Sequence, residues 1–184
     1  MTIADVSTIL PNPDDSLSSW CRHYRARCGI DAWMQPELKS IIVLASNSLG
    51  AVTMPAELGA QVKIHLLRLG VRLGPIISHP RSSRWTFLIR PDIPTDTATS
   101  ARLFRIHVSV ARSGAQITLP SPERRRSDLG FRCWSCAPEG DYRPSGMVVL
   151  NAVDALRGPW PTPAVCRRGL TARRAPNHTI PQCH

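Results

Sequence analysis

Long apolar runs are missing from this chain of 184 residues. A helix needs about 20 consecutive apolar residues to cross a bilayer, and no stretch approaches that, so neither a membrane span nor a membrane partner is expected. The first thirty residues also lack a basic start followed by an apolar core, the pattern of an export signal, and a cytoplasmic location is expected. Acidic residues are sparse in the middle of the chain. Between Glu57 and Glu123 the only carboxylates are Asp92 and Asp96, whereas a hard divalent cation for phosphoryl transfer wants grouped anionic oxygens. The phosphate-cradling patterns GxxxxGK[ST] and GxGxxG are absent, as is the GxSxG nucleophile turn. Lysine is almost missing too: Lys39 and Lys63 are the two lysines among 23 basic residues.

What is present is arginine, proline and a modest cysteine set. The formal net charge is +10, and 17 residues are proline. From Leu58 to Pro122 the basic residues are Lys63, Arg68, Arg72, Arg81, Arg84, Arg90, Arg102, Arg105 and Arg112, against Asp92 and Asp96, so the excess lies in the segment expected to fold. Such a field attracts polyanions and speeds encounter with them. An arginine-biased codon usage would leave a similar excess on a merely solvated surface. Six cysteines in a chain with no export signal read as reduced thiols, not as a disulfide framework.

Hydrophobic periodicity predicts a single α+β domain over residues 20–157, with a mixed, mostly antiparallel sheet and two main helices. Residues 1–19, mixing Pro, Asp and Ser, read as a disordered leader, and residues 158–184, basic and proline-rich, as a disordered tail. Trp20, Tyr24 and Cys28 are spaced for one face of a short helix over Trp20–Trp33, interrupted at Gly29, with Cys21 and Cys28 partly outside. Ser40–Ser46 and Ala51–Met54 read as a strand hairpin about the turn at Asn47–Gly50. Pro55 opens a helix with Leu58, Val62, Leu66 and Leu69 on one face and Gly70 beyond it. Gly74–Ser78 and Trp85–Ile89 follow as strands. A brief helical or irregular piece precedes Phe104–Ala111, which alternates in period two and reads as a strand turning at Gly114 into another at Gln116–Leu119. A short strand at Phe131–Trp134 and a helix at Met147–Arg157, with Met147, Leu150, Val153 and Leu156 in register, complete the domain.

The local feature with the most chemistry is the turn from Ser78 to Arg84. Arg81 and Arg84, with the hydroxyls of Ser82 and Ser83 and the ring of His79, offer forked donors suited to phosphate oxygens. Lys63 and Arg68 on the preceding helix are candidates to extend that site; a plain polar hairpin is the competing reading. Cys133 and Cys136 have CxxC spacing, but no second pair stands at matching distance, and Cys166, His178, Cys183 and His184 would have to fold back from the tail. No metal, no cofactor and no catalytic residue is therefore assigned. His65, His79 and His107 lack a partnered nucleophile pattern.

Several phrases between Ile41 and Val153 carry a resemblance: GAVTMPAELG at 50–59, LGPIISHPRSSRWTFLIRPDIP at 73–94, FRIHVSVARSGAQITLPSP at 104–122 and RPSGMVVLNAV at 143–153. They resemble small bacterial proteins similar to the N-terminal domain of bifunctional DNA primase/polymerases, relatives of which sometimes bear an RNA polymerase β-subunit label. The resemblance implies an α+β domain that contacts nucleotide or template through the basic turn. Active members hold metal with paired acids after an early strand, where this chain reads Leu49-Gly50-Ala51-Val52-Thr53-Met54. Their Gly-Gly-Arg-His motif is similar to Ser82-Ser83-Arg84-Trp85, with Trp85 at the histidine position. The expectation is a catalytically degenerate prim-pol-like module that binds DNA, RNA or nucleotide. The alternatives are a divergent metal-dependent nucleotidyltransferase using Asp92 and Asp96, and a regulatory module whose basic face docks an acidic protein partner.

Overall fold

In the computed structural model, which describes residues 16–121 and 132–157, the first helix starts earlier than its spacing suggests. The Ser16 hydroxyl accepts a bond from the Ser19 amide at 3.4 Å, capping α1 (Leu17–Cys28). Gly29 then takes a left-handed conformation (φ 57°) that most side chains resist and ends the helix, so the helix expected to run on to Trp33 does not resume and Trp33 instead opens a strand. Trp20, Tyr24 and Cys28 form the buried face as predicted. The cysteines are a correction: Cys21 and Cys28 are both buried, and burial pushes both thiols up from their ordinary range. The expected leader up to residue 15, the charged loop at 123–128 and the tail from 158 lie outside the described residues.

The strands are β1 (Trp33–Gln35), β2 (Ser40–Leu44), β3 (Gly50–Pro55), β4 (Ile76–His79), β5 (Arg84–Ile89), β6 (Ser109–Ala111), β7 (Gln116–Leu119) and β8 (Cys133–Cys136). They form two sheets, ordered β1-β2-β7 and β6-β3-β5-β4-β8, and every strand pair is antiparallel. The expected single mixed sheet is thus corrected: among the described residues the one parallel contact is an isolated bridge between Arg90 and Ser145.

Two expected hairpins are absent for one reason. β3 buries residues on both of its faces (Ala51, Val52 and Met54), so it serves as an inner strand between β5 and β6 and does not fold back on β2. β2 pairs with β1 and β7 instead. The chain therefore crosses between sheets three times, after β2, after β6 and after β7. The first two crossings meet where Ala45 donates its amide to the Ala115 carbonyl and accepts from the Gly114 amide, each at 2.8 Å.

The remaining helices are α2 (Ala56–Arg68), α3 (Thr97–Arg105) and α4 (Gly146–Arg157); the described residues thus hold the two main helices and the short first helix that were expected, and the brief helical or irregular piece before Phe104 is the full helix α3. Phe104–Arg105, predicted as strand, close α3 because Asp96 caps its start, accepting from the Thr99 amide at 2.7 Å. Phe104 is 80% exposed. The left-handed residue His107 (φ 56°) then breaks the chain before β6. Leu58, Val62 and Leu66 of α2 are buried as predicted, while Leu69 and Leu156 lie at the surface. Among the described residues no helix is long and apolar enough to cross a membrane.

The five-stranded sheet has a core on each face. Val52, Met54, Ile76, Phe87 and Ile89 pack with the inner faces of α2 and α4. On the opposite face Ala51, Ile77 and Leu88 pack against Ile41, Val43, Ile117 and Leu119 of the smaller sheet and Trp20 and Tyr24 of α1. Each large side chain so buried stabilises the fold by about 1.5–3 kcal/mol. The result is an α+β domain with helices on one side of the main sheet and a second sheet on the other.

Candidate functional site

The register of the main sheet sets the polar side chains. Residue pairs Ala51↔Leu88 and Thr53↔Thr86 and Ile77↔Thr86 and His79↔Arg84 share the face that meets the smaller sheet. The apolar members of that face are covered. Toward the start of β5 the face turns polar, and Thr53, Thr86, His79 and Arg84 line a cleft of about 240 Å³ with Ser82, Arg132 and, from β7, Gln116 and Thr118. Among the described residues no carboxylate lines it.

The hydrogen bonds across this cleft fix the state of His79. The Arg132 Nε–H donates to His79 Nδ1 at 3.1 Å, and a guanidinium has no acceptor, so Nδ1 carries the lone pair. The ring proton is then on Nε2, which donates to Thr86 Oγ1 at 2.8 Å. Thr86 in turn has its own proton for Thr53 Oγ1, 2.8 Å away. Burial first, then the charges of Arg132 and Arg84, lower the His79 pKa to about 4. At neutral pH the imidazole is neutral.

Arg84 is half-buried, and its Nη2 donates to the carbonyls of Thr53 at 3.1 Å and His107 at 2.8 Å. Both hydrogens of that nitrogen are used, which fixes the fork in place. Nη1 and Nε make no hydrogen bond to any described residue, leaving three N–H donors for a guest. A clamped, partly dehydrated guanidinium is a stronger anion ligand than a solvated one, because its orientation is already set and the local dielectric is lower.

Of the residues singled out in the sequence, His79, Ser82 and Arg84 line the cleft. The others are placed elsewhere. Ser83 is left-handed (φ 49°) and its carbonyl accepts from the Ala56 amide at 2.8 Å, fixing the turn to the start of α2. Arg81 is in the exposed 3-10 turn Pro80–Ser82, outside the lining. Arg68 is exposed in the last turn of α2, where a cation complements the helix dipole. Lys63 reaches the other face of the sheet, donating to the Ser135 carbonyl at 2.9 Å with its ammonium 5.8 Å from the Trp85 ring centre.

Sequence reasoning missed Thr53, Thr86 and Arg132. The signal for the threonines was present: each is a hydroxyl inside an otherwise apolar strand, GAVTMP and RWTFLI. Arg132 carries no comparable mark.

Asp92 and Asp96 serve the helices. Asp92 Oδ1 accepts from the Met147 amide at 3.2 Å at the start of α4. Burial opposes its ionisation, but the bonds from Ser145, Met147 and Gly146 outweigh burial and hold its carboxyl below the usual range. Asp96 is lowered chiefly by the Thr99 amide and hydroxyl. Among the described residues no group of three or more His, Cys, Asp or Glu is placed to hold a metal ion. No protein-family model, no curated protein and no solved structure matches the chain.

Proposed function

We propose that this chain is a prim-pol-like binding module that takes a phosphate group of a nucleic acid or nucleotide into the cleft between its two sheets. The observation that carries the reading is the lining itself: two guanidiniums, threonine and serine hydroxyls and a neutral imidazole, with no carboxylate among the described lining residues. Arg84 supplies the fixed fork, Arg132 a second cation, and Ser82 and the two threonines neutral bonds. The wider excess of arginine adds long-range attraction for a polyanion. Binding is favoured over nucleotidyl transfer because the carboxylates Asp92 and Asp96 are engaged at the starts of α4 and α3.

The test is ring-nitrogen NMR of His79 in the free protein and in protein saturated with a nucleoside triphosphate or a short single-stranded DNA. A phosphate beside the ring opposes the two arginine charges and raises the His79 pKa by about one unit or more. Saturation that leaves His79 titrating as in the free protein places the phosphate elsewhere.

A further inference from the structure

On the helix side of the main sheet, away from the cleft, a second group of side chains is left unused by the proposed function. Among the described residues β8 is an edge strand, and it carries Cys133 and Cys136. In a regular strand residues three apart face opposite ways. Here the pairing with β4 runs Ser78↔Cys133, Ile77↔Trp134 and Ile76↔Cys136, so Ser135 is an extra, bulged residue. The bulge restores both cysteines to one face. Cys136 packs against the core under α2 and α4, while Trp134 points to the other core, where its Nε1 donates to the Tyr24 hydroxyl at 3.0 Å. Cys133 is exposed and Cys136 half-buried, and both are free thiols.

Lys63 completes the group. Its ammonium stands over the Trp85 ring, 5.8 Å from the centroid, and is tied to Ser135, a residue between the thiols, at 2.9 Å from the carbonyl and 3.4 Å from Oγ. A fixed positive charge thus stands beside a pair of thiols on an accessible sheet edge.

We propose that Cys133 and Cys136 form a two-thiolate site for a soft monovalent cation of the copper(I) class, with Lys63 as its counter-charge. Soft thiolates select such ions. Two thiols and one monovalent cation give a bis-thiolate complex of charge −1 and two protons released to solvent, with no change of oxidation state, and the ammonium neutralises the complex. Spacing separates this from a disulfide. Same-face neighbours along a strand are about 6.5–7 Å apart, from a rise of 3.2–3.4 Å per residue, at the upper limit for a disulfide. Two metal–sulfur bonds end to end, each close to the ~2.3 Å of a zinc thiolate, bridge more than twice the ~2.05 Å of an S–S bond.

The experiment is an anaerobic titration of the full chain with copper(I) held by a coloured chelator, comparing the parent with Cys133→Ser, Cys136→Ser and Lys63→Met. Each cysteine variant is expected to lose the same single tight equivalent. Lys63→Met is expected to keep that equivalent and weaken it about tenfold, the loss of one nearby charge. If Cys133→Ser, at an exposed position, retains the full stoichiometry, the site does not exist. Cys136→Ala replaces Cys136→Ser should circular dichroism show the latter unfolded. A loss of two hydrogens from the parent in air, absent from both cysteine variants, with no chelator-competitive copper bound, assigns the pair to disulfide chemistry and overturns the proposal.

Discussion

His79 provides a quantitative check on the cleft through the pH dependence of folding. In the folded chain its pKa is about 4 against an ordinary 6.5. Below pH 6.5 the unfolded chain takes up a proton that the folded chain does not accept until near pH 4, so stability falls as the pH drops through that window. A gap of about 2.5 pH units corresponds at most to about 3 kcal/mol, and solvent entering the open cleft screens part of it, leaving about 1–2 kcal/mol. That is a measurable share of a domain's ~5–15 kcal/mol. His79→Gln keeps an N–H for Thr86 and removes the titration. Urea unfolding of both proteins at intervals from pH 7 to pH 4.5 lets the carboxylates, common to both, cancel in the difference. The parent should lose about 1–2 kcal/mol relative to the variant over this range. Parallel curves, or a parent that gains on the variant in acid, would show that His79 is not held neutral by burial and arginine.

Two further outcomes follow from the packing. Tyr24→Phe removes the hydroxyl that donates to the Pro120 carbonyl at 2.9 Å and accepts from Trp134; both partners are left unpaired, and urea denaturation should show a loss of about 1–3 kcal/mol. Gly59 faces Trp85 so closely that an added Cβ would be 2.9 Å from the Trp85 Cβ. Gly59→Val should therefore cost about 1–3 kcal/mol by overpacking, although valine is the better helix former, and a lowered melting temperature would register it.

The parts of the fold that were legible in the sequence are those where one local signal acts alone. The Leu58, Val62 and Leu66 stripe, the run at Ser40–Leu44 and the stop at Gly70 needed no partner to interpret. What failed were pairings. Nothing in Ala51–Met54 says that its neighbours are β5 and β6, because burial on both faces is consistent with any inner strand. Phe104 misled because an alternating pattern overlapped the end of a helix whose cap, Asp96, lies eight residues earlier in the chain. The candidate site was legible in part for the same reason. His79, Ser82 and Arg84 are contiguous with the basic turn, whereas Thr53 and Arg132 join them only through sheet register and the return of the chain to β4.

The central claim is that phosphate is gripped inside the cleft and not by arginine at large. It is tested most directly by binding of labelled single-stranded and duplex DNA and of a labelled nucleotide across a salt series, with Arg84→Met, Arg132→Met and, as a surface comparison, Arg68→Met. The account predicts a loss of about tenfold or more and a shallower salt slope for each cleft variant, with Arg68→Met close to the parent. Equal, small losses in all three would mean that the net charge alone attracts the polyanion, and would contradict the assignment of the cleft.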